Sequence, residues 1–172
     1  AHNQIESQII PKIKERSRGC FVINTDPISK GGQHWQSVFF DARPSVGSNS
    51  VEFYDSYADQ PSKTVLRGLK DIVDKLDAPT YLKYKENKIK QQNNKSANCG
   101  YFATKFLIDR LRNKSFSECT GYDDSMKSEK DIEGWKKKLQ IQPFEYITQG
   151  GDGIGDIFKD GVKAVGNKIG EI

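Results

Sequence analysis

The sequence predicts an α+β domain, and three observations carry that prediction. Short runs rich in β-branched and aromatic residues come early, at residues 20–24, 34–41 and 51–55. Apolar residues then recur at helical spacing, beginning with Val65, Leu69, Ile72, Val73 and Leu76. The chain has 172 residues, 35% hydrophobic and 29% charged, which suits one domain with a real core and a polar surface.

Residues 1–19 are polar and charged apart from Ile9-Ile10, and read as a surface segment. Residues 20–24 (Cys-Phe-Val-Ile-Asn) read as a first strand. A turn over 25–32 follows, with Asp26-Pro27 and Gly31-Gly32 as its markers. Residues 34–41, with Trp35, Val38, Phe39 and Phe40, read as a second strand. Pro44 and Gly47 mark a hairpin connection over 43–49, and 51–55 would be a third strand antiparallel to the second. Residues 62–76 predict an amphipathic helix capped by Ser62 and stopped by Ala78-Pro79. Residues 80–90 alternate as a fourth strand, placed near a sheet edge by its lysines.

After a polar loop at 93–98, Tyr101, Phe102, Phe106, Leu107 and Leu111 predict a helix with Cys99 at its start. A third helix is expected around 128–140, with Ile132, Trp135 and Leu139 on one face. Residues 149–153 are a glycine-rich link. Beyond them Ile154, Ile157, Phe158, Val162, Val165, Ile169 and Ile172 share a helical face. The expected organisation is a domain over 1–148 and an amphipathic tail over 149–172.

Composition excludes several classes. No stretch approaches the length of a membrane span, and the N-terminus lacks a signal-peptide pattern. Three cysteines at irregular spacing argue against a disulfide framework and for a reducing compartment. No zinc-ligand spacing occurs. The net charge of +4 is unevenly spread. Lys83, Lys85, Lys88, Lys90 and Lys95 form a candidate nucleic-acid contact, and Lys105, Arg110, Arg112 and Lys114 a second basic run. A solvated face is the more common meaning of such runs.

Four residues in order point to chemistry: His34, Asp55, Gln92 and Cys99. A thiol becomes a strong nucleophile as thiolate, so it needs a base and a positive local field. The tip of a helix supplies such a field to Cys99. His34 is the candidate base, since the other histidine, His2, lies at the terminus. Asp55 would orient the imidazole, because pairing of the second and third strands brings it near His34. Asp41 and Glu52 are rivals for that role. Gln92, or Gln91 beside it, would donate to an oxyanion with the Cys99 backbone N–H. Gly32, Trp35 and Gly100 are candidate substrate contacts, Trp35 shielding the imidazole and Gly100 letting a carbonyl approach. Each has a plainer reading as an ordinary core, turn or surface residue.

Gly31-Gly32-Gln33-His34-Trp35, Phe53-Tyr54-Asp55 and the stretch from Gln92 to Phe102 resemble the adenovirus endopeptidase (adenain) family. The wider group includes proteases of other large DNA viruses, virophages and Polinton-type elements, and those that process ubiquitin-like modifiers such as SUMO. The resemblance implies a central mixed or antiparallel sheet packed on a helix that starts at the nucleophile. It also implies His34, Asp55, Gln92 and Cys99 as base, acid, oxyanion donor and nucleophile. Seven residues from Gln92 to Cys99, with Asn98 before the cysteine, fit the adenoviral pattern better than the SUMO-protease one.

The implied function is therefore viral maturation: cleavage of capsid or core precursors near Gly-Gly-type sites, in an infected cell and in the virion. The alternatives are removal of ubiquitin or a ubiquitin-like modifier, and a non-catalytic DNA- or capsid-associated module. No cofactor is required, and the resemblance implies DNA or a peptide as activator. The tail is read first as a docking helix. Its membrane attraction would be weak, with three lysines against four acids over 152–172. Oligomeric state is open.

Overall fold

Residues 35–41 are apolar at most positions, and the strand they form is covered on both faces. The computed structural model describes residues 5–26, 34–44, 49–76, 82–121 and 125–139. Most of the expected turn over 25–32, with Gly31 and Gly32, lies outside the described residues, as does the whole of the expected tail over 149–172. Four strands form one sheet in the order β1-β2-β3-β4: β1 Arg18–Asn24, β2 Trp35–Asp41, β3 Ser50–Tyr54 and β4 Lys83–Glu86. The first three run antiparallel, and β4 runs parallel to β3. A parallel partner needs a crossover, and helix α1, Lys63–Lys75, supplies it. The other helices are α2 Cys99–Leu111, α3 Phe116–Thr120 and α4 Ser125–Leu139. The expected α+β class, the sheet and a helix that starts at Cys99 are thus observed.

Two apolar clusters sandwich the sheet. On one face Val38, Phe40, Val51 and Phe53 pack with Val65, Leu69 and Ile72 of α1. On the other Phe39 and Tyr54 pack with Phe102, Phe106 and Leu107 of α2 and Ile132 of α4. Ser62 caps α1 as expected, its hydroxyl accepting the Val65 N–H at 3.2 Å. Glu52 is fully buried in β3, where Arg110 of α2 meets it in a fork at 2.6 and 2.9 Å. This pair ties the helix to the sheet.

Three expectations are corrected. Residues 1–19 are not wholly a surface segment: helical turns over Ile5–Ile9 and Ile10–Lys12 bring Ile5 into the core, and Ile13 follows. Gly68 of α1 makes room for Ile5, since a Cβ there would lie 2.9 Å from Ile5 Cδ1. The fourth strand ends at Glu86 rather than 90, because Asn87 turns inward to bind the backbone of Asp55. Helix α3 adds an element that apolar spacing does not predict, although Ser115 and Glu118 form a capping box at its start. Among the described residues no helix is long and apolar enough to cross a membrane.

Candidate active site

Antiparallel pairing places Ser37 opposite Tyr54, so the chain just before β2 lies beside the chain just after β3. His34 stands on the first segment and Asp55 on the second. His34 Nε2 and Asp55 Oδ2 are 2.7 Å apart, with the carboxylate fully buried and the imidazole 15% exposed. That leaves Nδ1, which is buried and has no hydrogen-bond partner among the described residues. The ring also interacts with the thiol of Cys99.

Cys99 opens α2 and is half-buried. Its sulfur receives the backbone N–H groups of Trp35 and Gly100. Burial pushes the thiol up, but the His34 ring and these two N–H groups outweigh it and hold Cys99 below the ordinary 9.0. Burial likewise pulls His34 down, yet Asp55 and Cys99 outweigh it and raise the imidazole from 6.5 to about 9. The opposed shifts favour the thiolate–imidazolium form of the pair. The other thiols differ: burial raises Cys20, and raises Cys119 to about 11.

Asp55 is held from all sides. Burial opposes its ionisation, but hydrogen bonds from His34 and Gln36 keep the carboxyl below its ordinary 3.8. Gln36 Nε2 donates to Oδ2 at 2.7 Å and the Tyr57 N–H donates to Oδ1 at 2.7 Å. Asn87 takes both backbone groups of Asp55, at 2.9 and 2.6 Å. The rivals are engaged elsewhere, Asp41 with Arg43 and Arg18, and Glu52 with Arg110.

Gln92 is fully buried on the loop before α2. Its Oε1 accepts the Ser56 hydroxyl at 2.6 Å and its Nε2 donates to the Ser96 carbonyl at 2.9 Å. Among the described residues the second N–H of the amide has no acceptor. The Ser56 carbonyl accepts the N–H groups of both Gln91 and Gln92 at 2.9 Å, so the loop is fastened next to Asp55. Gln91 serves the structure instead, accepting from the Tyr54 hydroxyl at 2.6 Å and donating to the Cys119 carbonyl at 3.3 Å.

The structure therefore brings His34, Asp55 and Cys99 into one chain of contacts, with Gln92 tied to the residue after Asp55. The ring against the imidazole is Tyr57, with centroids 5.0 Å apart, and not Trp35. Trp35 instead lies over Gly100, where a Cβ would sit 3.6 Å from its ring. That is ordinary contact distance, so the space at Gly100 does not by itself demand glycine. Gln36, Tyr57 and Asn87 escape sequence reasoning. Gln36 has a signal, because residues two apart on a strand project the same way, as His34 and Gln36 do. Of the candidate lysines, Lys85 reaches Glu52, Lys88 pairs with Glu86, and Lys90 bonds Asn94 and sits over the Tyr57 ring. Among the described residues no cluster of His, Cys, Asp and Glu could hold a metal ion.

No protein-family model matches the sequence, and no curated protein does. Solved structures do. The ASFV pS273R protease matches at a TM-score of 0.54 and 23% identity, over 65% of this chain and 40% of that one. Its selenomethionine form matches at 0.54 and 22%, over 65% and 41%. The fold is the ubiquitin-like protease fold. The chain spans about two-fifths of the length of the viral protease it matches.

Proposed function

We propose that the protein is a cysteine endopeptidase with Cys99 as nucleophile and His34 as its base and acid. The observation that carries this is the fastening of His34 Nε2 to buried Asp55 at 2.7 Å, on a ring that also interacts with the Cys99 thiol. The Cys99 thiolate attacks the scissile carbonyl carbon, and the imidazolium gives its Nδ1 proton to the leaving amine. A thioester remains. His34 then takes a proton from water, which attacks the thioester and releases the acid product and the thiol. The free N–H of Gln92 and the backbone N–H groups at the tip of α2 would hold the oxyanion of both tetrahedral intermediates.

For the substrate we propose a capsid or core precursor cut near a Gly-Gly-type site during virion maturation. The interval from Gln92 to Cys99 and Asn98 before the cysteine support this over removal of a modifier. Three free thiols suit a reducing compartment. DNA, which the resemblance implies as activator, would lie over the lysines of β4 and the loop after it, and a binding curve steep in salt tests that.

The experiment is turnover of a Gly-Gly-X peptide against modifier–fluorophore conjugates, with and without DNA. Cleavage of the peptide that disappears in Cys99→Ala and His34→Ala is expected. Faster hydrolysis of the conjugates would transfer the protein to modifier removal. Full turnover in His34→Ala would end the mechanism.

A further inference from the structure

Helix α4 follows the nucleophile helix and buries Ile132, 1% exposed, on its apolar face. Its residues 129, 133 and 136 fall at helical spacing on a different stripe, and that stripe is polar. It does not simply face water. Glu129 Oε1 accepts the Asn93 N–H at 2.7 Å and also the Ser96 hydroxyl. Its Oε2 accepts from Asn98 Nδ2 at 2.9 Å. Glu133 accepts from the same amide at 3.0 Å, and Lys136 Nζ donates to Asn98 Oδ1 at 3.1 Å. One carboxylate thus holds the beginning, middle and end of the loop between Gln92 and Cys99. Gln92 grips that loop from the other side, through the Ser96 carbonyl.

The effect on Asn98 is specific. Asparagine before a helix ordinarily turns its side chain in to accept an N–H of the first turn. Here Asn98 is the N-cap of α2 and makes no such bond. Its amide is committed to α4 instead, both donor and acceptor ends. The N–H groups at the tip of α2 are then not consumed by their own cap, and they remain for the sulfur and an oxyanion.

We propose that Glu129 is a positioning residue that fixes the oxyanion loop and draws Asn98 off the tip of the nucleophile helix. Glu133 and Lys136 complete the hold on Asn98. The assignment rests on the peptidase reading of Cys99, but part of its test does not. In Glu129→Ala, amide hydrogen exchange of residues 93–98 is expected to quicken at least 10-fold, while exchange inside α2 stays as it was. With the Gly-Gly-X peptide, kcat is expected to fall roughly 10- to 100-fold with KM within twofold, the pattern of a lost transition-state contact. A peptide aldehyde, which forms a tetrahedral adduct on the thiol, should weaken by the same factor.

Should Glu129→Ala lose its cooperative melt, Glu129→Gln decides. Its oxygen still serves Asn93 and Ser96, but its amino group meets the Asn98 amide donor to donor. Faster exchange at 96–98 and a kcat loss of about five- to tenfold are expected. Exchange and kcat both within twofold of the parent in the folded variant would overturn the proposal, and so would a loss of kcat with loop exchange unchanged. If the parent protein turns over no peptide, the peptidase reading fails, and loop exchange still decides whether Glu129 holds the loop.

Discussion

Asp55→Asn isolates what the buried carboxylate does for the imidazole. Asparagine keeps the shape and an oxygen for His34 Nε2 and Gln36, the negative charge is lost, and the amide NH2 replaces the oxygen that accepts the Tyr57 N–H. In the parent, Asp55 and Cys99 raise His34 to about 9 against the opposing effect of burial. At pH 8 an imidazole titrating there is about nine-tenths protonated, and one returned to 6.5 is about 3% protonated. The imidazolium fraction, and with it acylation, should drop roughly 10- to 30-fold at pH 8, towards the lower end because Cys99 still contributes. The assay is kcat/KM against pH, with iodoacetamide alkylation of Cys99 across the same range. The parent should show an alkaline limb near pH 9, where the proton needed by the leaving amine is lost, and the variant a limb displaced towards neutrality. A limb that stays near 9 in Asp55→Asn would refute the reasoning.

Stability carries the same linkage with a definite sign. A raised histidine stabilises the fold fully below 6.5 and loses that contribution as pH rises through about 9. Cys99 is depressed and acts oppositely, so the clean measurement is in Cys99→Ala: its Tm should decline between those values, and adding Asp55→Asn should flatten the decline. Limiting iodoacetamide at pH 6.5 should label Cys99 well ahead of Cys20 and Cys119, whose thiols are raised, with peptide mapping as the check. Arg110→Met leaves the buried Glu52 carboxylate to Lys85 and the Ser50 hydroxyl alone, and should cost about 3 kcal/mol in urea unfolding. Ile5→Ala should cost about 2–4 kcal/mol, whereas a segment lying loose on the surface would show almost none.

The strands, α1 and the start of α2 are legible in the sequence because their apolar periods are strong and their boundary residues are specific. Ser62 before α1 and the turn-forming Asp55-Ser56 are examples. The N-terminal segment is not legible, because Ile5 and Ile13 are too sparse to show a period, and only the packing of the fold, with Ile5 against Gly68, buries them. His34, Asp55 and Cys99 can be singled out by chemistry and strand pairing. The shell around them cannot. Asn87 reaches Asp55 from 32 residues away, and Glu129 reaches Asn93 from 36, through side chains that in sequence read as ordinary polar surface. Trp35 suggests itself as the partner of the imidazole because adjacency in sequence suggests adjacency in space. On a strand neighbours point to opposite sides, and the ring comes from Tyr57 instead.

The double acceptance at the Ser56 carbonyl has a consequence for how this molecule tolerates change. The residue that follows the acid also anchors the segment carrying the amide donor, and its hydroxyl closes a second link to that amide. Neither part can drift without dragging the other. Thermal loosening of this corner should abolish orientation of the base and reception of the negative oxygen in a single event. Replacements at Ser56 and Gln92 should be survivable only as matched pairs.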